Sequence, residues 1–84
     1  MNKPLFALGA AVKYYRLQKG ISRAILARKC CISPSLISMI EDGTRKTTSA
    51  ENIYLIARVL GITLDQLMLT ARQLKHTDFN DLEY

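Results

Sequence analysis

Apolar residues along this chain recur three and four positions apart, the spacing of one face of an α-helix, and no stretch alternates as a half-buried strand would. Capping residues and glycines divide the pattern into five segments. The first helix is expected to begin around Pro4 and run to about Lys19, burying Leu5, Leu8, Val12 and Tyr15, and to end at Gly20 in a left-handed C-cap. Ser22 reads as the N-cap of a short second helix ending near Cys30, with Ile21 and Leu26 spaced as a hydrophobic staple across its first turn. Cys31, Ile32 and Ser33 then turn the chain into a third helix, roughly Pro34 to Asp42, capped by Ser33 and closed by Gly43. A fourth helix starts at Thr48 or Ser49, where Thr48 and Glu51 have capping-box spacing; it carries the stripe Ile53, Ile56, Ala57 and Leu60 and ends at Gly61. Thr63 and Gln66 give another box, Ile62 and Leu67 another staple, and the fifth helix is expected from Leu64 to about Leu74.

These elements predict an all-α fold, a compact five-helix bundle over residues 1–75, followed by an acidic tail, 76–84, that is flexible or lies at a dimer interface. At 84 residues the chain is one domain, since a core this small cannot be divided and still offset the entropy of ordering. Its apolar runs fall well short of the roughly 20 residues needed to cross a bilayer. The stretch from Pro4 to Val12 is broken by Gly9 and followed at once by Lys13, so no secretory signal is expected and the cytoplasm is the expected location. Adjacent cysteines rarely close an unstrained disulfide, and Cys30 and Cys31 are therefore read as free thiols with one in the core, a redox sensor being the alternative. The lone His76 does not make a zinc set, and no metal or cofactor is expected.

Charge narrows the partner. The net charge of +5 hides an asymmetry, because residues 1–76 hold all twelve Lys and Arg against only Glu41, Asp42, Glu51 and Asp65, about +8 in that part. A field of that sign suits a polyanion. Helices two and three, both short and joined by a three-residue turn, have helix-turn-helix proportions, although such pairs also occur in bundles that touch no DNA. At about 100° per residue, Ile37, Ile40 and Glu41 of the third helix point one way and Ser35, Met39 and Asp42 the other, with Leu36 and Ser38 on the flanks. The outward face is small and unbranched rather than lined by Glu and Lys, so a DNA groove could admit it.

The residues that separate this reading from a plain bundle are Arg16 and Gly20 four apart, Ile21-Ser22 before Leu26-Ala27, Ile32-Ser33-Pro34-Ser35 leading to Ile37-Ser38-Met39-Ile40-Glu41, then Gly43, and finally Leu60-Gly61-Ile62-Thr63-Leu64-Asp65-Gln66-Leu67. In that order and spacing, over about Leu8 to Leu67, they resemble the Cro/CI-type, or XRE-like, helix-turn-helix regulators. The resemblance implies a lambda-repressor-like domain that binds operator DNA, commonly as a two-fold dimer, with the third helix as reader. It also implies that Arg16 pairs with Glu41 to brace the first helix against the third. This chain departs from the pattern at Arg23, where relatives usually carry Gln, at Cys31, where the turn usually has a small residue such as Gly, and after Gly43, where the connection is longer and lacks Pro.

Within that frame Arg23, Ser38, Thr44, Arg45 and Lys46 flank the reading helix and are the candidates for phosphate contact, while Lys13, Lys19, Arg28 and Lys29 supply general field. Ser35, Leu36 and Met39 would read bases, with Ser33 and Pro34 close to the groove floor. This set lacks the Arg, Asn and Gln of bidentate readout, so modest discrimination through thymine methyls and hydroxyls, and a larger share of DNA shape, is expected. Asp42 is either an acceptor from cytosine or a spectator that disfavours wrong sites. Leu67, Met68, Leu69, Leu74, Phe79, Leu82 and Tyr84 are the candidates for a homodimer interface, or else dock on their own domain. An enzyme is not expected, because no nucleophile set, phosphate-cradling loop or metal cluster is present. The rival is an antitoxin or interaction module whose fifth helix and tail engage a toxin or other protein; RNA binding is the weaker third, for want of stacking aromatics.

Overall fold

A computed structural model describes the backbone of residues 7–45 and 48–82 and the side chains of residues 7–45 and 48–74. Among the described residues the chain forms five helices and no strand: α1 (Leu8–Lys19), α2 (Arg23–Cys30), α3 (Pro34–Asp42), α4 (Ala50–Leu60) and α5 (Leu64–Leu82). The stripe Leu8, Ala11, Val12 of α1 is sealed into a core with Leu26, Ala27 and Cys30 of α2, Ile37 and Ile40 of α3, Ile56, Ala57 and Leu60 of α4, and Leu67 and Ala71 of α5. Burying each of the larger aliphatic side chains contributes about 1.5–3 kcal/mol, which is what holds helices as short as α2 and α3 in place.

α1 is the central element. It packs most extensively on α5 and also touches α3 and α4, whereas α3 makes its main contacts with α1 and α2. Gly9 explains how closely α1 approaches α3: a Cβ there would overlap the Ile40 carbonyl oxygen and lie 2.8 Å from the carbonyl carbon. On the other side of α1, the Tyr15 hydroxyl and Thr70 Oγ1 of α5 are hydrogen-bonded at 2.7 Å.

Three expectations are corrected. The first helix begins at Leu8, not near Pro4, because Ala7 is non-helical (φ −109°, ψ 85°) and its N–H donates to the Ala71 carbonyl at 3.0 Å; Pro4 and Leu5 lie outside the described residues. The cap of α4 is Ser49, whose Oγ accepts from Asn52 N at 3.2 Å while Asn52 Nδ2 donates to Thr48 Oγ1 at 3.0 Å, so Glu51 takes no part in a capping box. And α5 runs past Leu74 to Leu82, where no Gly or Pro interrupts it, so the helix takes in the backbone of residues 75–82. Among the described residues no single helix is long and apolar enough to cross a membrane, and the α4–α5 pair, which together has the composition, is bent by 96°.

Candidate nucleic-acid interface

α2 and α3 are joined by Cys31, Ile32 and Ser33 in a turn whose backbone closes both neighbouring helices. The Cys31 N–H donates to Arg28 O at 3.1 Å and the Ile32 N–H to Ala27 O at 2.9 Å, the paired bonds of a Schellman C-cap. Such a cap needs a left-handed residue. Cys31 takes it, at φ 60° and ψ 41°, and is the one non-glycine with positive φ among the described residues. Ser33 then accepts from Leu36 N at 3.1 Å, and Pro34, lacking an N–H, occupies the first helical position without loss.

The turn leaves α3 with two unlike faces. Ile37 and Ile40 are buried, while Pro34, Ser35 and Met39 are exposed, Met39 to 36%. Leu36 and Ser38 sit half-buried on the flanks, Leu36 touching the core, and the Ser33 hydroxyl that was a candidate at the groove floor is engaged as the cap of α3.

A chain of four charges runs from beneath this face, at Arg16 and Glu41, out to its edge at Arg23 and Asp42. Arg16 donates from Nε to Glu41 Oε2 at 2.7 Å and from Nη2 to Glu41 Oε1 at 2.9 Å, and its Nη1 donates to the Ile21 carbonyl at 2.9 Å. The Glu41 side chain is 0% exposed. Arg23 approaches the same carboxylate, Nε to Oε1 at 3.1 Å, and reaches Asp42 Oδ1 from Nη2 at 3.2 Å. Hydrogen bonding to Glu41 holds the Arg16 guanidinium above its ordinary range; burial works against this and the Glu41 charge adds to it. Arg16 thus ties α1 to α3 and, through the Ile21 carbonyl, to the start of α2. Arg23, the residue expected at a phosphate, is held by two acids of α3.

A family profile described as helix-turn-helix matches residues 12–67, well over half of the chain. The chain belongs to the XRE-type helix-turn-helix family. As an XRE-type helix-turn-helix protein it is a DNA-binding transcriptional regulator. No curated protein sequence matches it. Among solved structures it is similar to the clp gene regulator ClgR from Corynebacterium glutamicum, at 27% identity and a TM-score of 0.83 over 98% of this chain and 88% of that one. It is also similar to SinR of Bacillus subtilis, the master regulator for biofilm formation, in a structure with DNA, at 30% identity and a TM-score of 0.69 over 71% of this chain and 95% of that one. The restriction-modification controller protein C.AhdI from Aeromonas hydrophila is a third, at 30% identity and a TM-score of 0.69 over 75% of this chain and 94% of that one.

In this helix-turn-helix protein Thr44 and Arg45 are exposed beyond Gly43, where the Arg45 N–H donates back to Met39 O at 3.0 Å and so draws the loop against the end of α3; Lys46 lies outside the described residues. Of the expected dimer residues, Leu67 is corrected. It is fully buried in the core of its own chain, because Leu67, Ala71 and Leu74 form the stripe of α5 that faces α1 and α4. Met68 is half-buried, Leu74 is half-buried against the core, and Leu69 is open to 58%. The side chains of Phe79, Leu82 and Tyr84 lie outside the described residues. Cys30 is buried and Cys31 exposed, both as free thiols, and burial, with a lesser contribution from Cys31, pushes the Cys30 thiol up. Among the described residues no three His, Cys, Asp or Glu gather as a metal site.

Proposed function

We propose that the protein is a sequence-specific repressor or autoregulator that binds a palindromic operator as a homodimer in the cytoplasm, without catalysis of its own. The reading rests on one observation above all, the open outer face of α3, where Ser35 and Met39 stand clear while Ile37 and Ile40 anchor the helix beneath. In the major groove Ser35, Leu36 and Met39 face base edges and Ser33 and Pro34 come close to the groove floor. Phosphates are met by Arg23, Ser38, Thr44, Arg45 and Lys46, which fix the register without reading sequence. Bound DNA in the SinR structure, on a domain similar in fold and sequence, supports the same mode here. One reading helix covers only a few base pairs, so two copies roughly 34 Å apart on a two-fold axis make the working unit.

Selection of bound sites from random duplexes by the purified chain tests this. The expected outcome is an enriched inverted repeat, retained in the presence of competitor and released steeply as salt rises. Enrichment of no sequence removes the regulator reading. Met39→Ala is expected to shift the enriched sequence with the melting temperature unchanged, and an identical enrichment would remove Met39 from the reading set.

A second reading, a protein-interaction module of the antitoxin kind, draws on the exposed apolar side chains of α5, Leu64 and Leu69. Sedimentation separates the two. A dimer that Leu69→Lys converts to monomer assigns this face to self-association, whereas a wild-type monomer that retains no duplex favours a foreign partner.

A further inference from the structure

We propose that Asp42 is a positioning residue for Arg23, so that the ion network bracing α3 also aims a cation at a DNA phosphate. The proposal rests on the DNA-binding reading above and adds a role for an acid to which that reading assigns none. Arg23 is the first residue of α2, where the positive end of the helix dipole disfavours a cation, so its place has to be secured by side chains. Glu41 alone does not secure it, because both of its oxygens already accept from Arg16 and only a single bond, at 3.1 Å, remains for Arg23 Nε. Asp42 supplies the second anchor, at Nη2.

Nε and Nη2 lie on one edge of the planar guanidinium. With that edge held by α3, the opposite end, Nη1, has no hydrogen bond among the described residues, and the side chain is 35% exposed. A planar cation fixed on one edge presents its remaining donors in a defined direction, which suits a phosphate oxygen. In helix-turn-helix docking the first helix of the pair is the one that crosses the sugar-phosphate backbone, and Arg23 stands in its first turn. Asp42, 55% exposed, makes its ion pair with Arg23 and with no other cation among the described residues.

An acid on a reading helix also repels phosphates. Its effect on binding is therefore the sum of a repulsion felt whatever stands at position 23 and a positioning effect felt only through Arg23. A double-mutant cycle separates them. The full chain with Arg23→Gln, Asp42→Asn or both is titrated, across a salt series, with a duplex selected by the wild-type chain and with poly(dI-dC). Arg23→Gln is expected to reduce the salt slope by about one, the share of a single phosphate. Asp42→Asn is expected to be about three- to fivefold less favourable for duplex binding when Arg23 is present than when it is replaced, the size of an exposed charge coupling. Melting temperatures should stay together, which separates positioning from a fold defect. An additive cycle overturns the proposal while leaving the DNA-binding reading intact. Tighter binding by Asp42→Asn only when Arg23 is present also overturns it, and makes Asp42 a competitor of phosphate. A wild-type chain that prefers no duplex over poly(dI-dC) defeats the DNA reading and the positioning with it.

Discussion

At Cys31-Ile32-Ser33 and at Gly61-Ile62-Thr63 the backbone does the same thing. In each, a left-handed residue ends one helix, an isoleucine N–H reaches back five residues (Ile32 to Ala27 O at 2.9 Å, Ile62 to Ala57 O at 3.0 Å), and a hydroxyl caps the next helix. Gly20-Ile21-Ser22 is a third copy of the turn. The helices that follow are unlike. α3 has nine residues, rests on α1 and α2, and keeps Pro34, Ser35 and Met39 in the open; α5 has nineteen and lies along α1 with Leu67 and Ala71 buried. A helix, a turn and another helix therefore do not make a DNA reader. In the proposed docking the reader is α3, whose open face carries Pro34, Ser35 and Met39, and a buried ion pair fixes that helix from behind.

The largest expected difference between the two lies in their polar ties. Glu41→Ala strands the Arg16 guanidinium, which is buried, and should cost about 3–5 kcal/mol in urea unfolding. Thr70→Val removes only the Tyr15 hydroxyl bond from α5 and should cost about 1 kcal/mol. Equal losses would erase the distinction. Next comes the approach of α1 to α3: Gly9→Ala should cost about 1–3 kcal/mol, because the new methyl meets the Ile40 backbone, which cannot swing away as a side chain could. A cost near zero would mean that α3 can shift on its bed.

Smaller effects are expected where the turns differ by one residue. Cys31→Gly should raise stability by about 1 kcal/mol by relieving a left-handed side chain, and Gly61→Ala should lower it by about as much. If Cys31→Gly destabilises, the thiol makes a contribution at this turn that outweighs its backbone conformation. Least in energy but simplest to observe are the thiols. Iodoacetamide should label Cys31 in the folded protein and spare Cys30. Because burial raises the Cys30 thiol above its ordinary 9.0, the folded state favours the protonated form. Its contribution to stability is complete below that ordinary value and declines as pH rises from there through the folded-state value. Cys30→Ala should flatten the alkaline fall in melting temperature; an unchanged fall would place its cause elsewhere.

The ends of α2 and α3 were legible because they are set by residues within four or five positions: Ser22, Ser33, Pro34 and Gly43 act on their immediate neighbours. The two misplaced helix ends were set by other forces. α1 starts where Ala7 meets the carbonyl of Ala71, a partner far along the chain, and α5 continues where no breaker stands. Within the site, the open positions Ser35 and Met39 follow from helical angle alone. The pairing of Arg23 with Asp42 spans nineteen residues and two helices, so no local rule could reveal it. Leu67 was misassigned because an apolar residue on a terminal helix fits a partner's surface and its own core equally well until the helix is docked.

By itself the sequence determined where the turns fall, which residues cap them and which side of α3 is apolar, since these depend on short-range sterics, hydrogen bonds and a fixed 3.6-residue period. Only the tertiary structure decided how close α1 stands to α3 over Gly9, which acids hold Arg23, and which leucines of α5 stay outside. Those depend on how helices dock, and docking is settled by the shape and charge of surfaces contributed by segments distant along the chain.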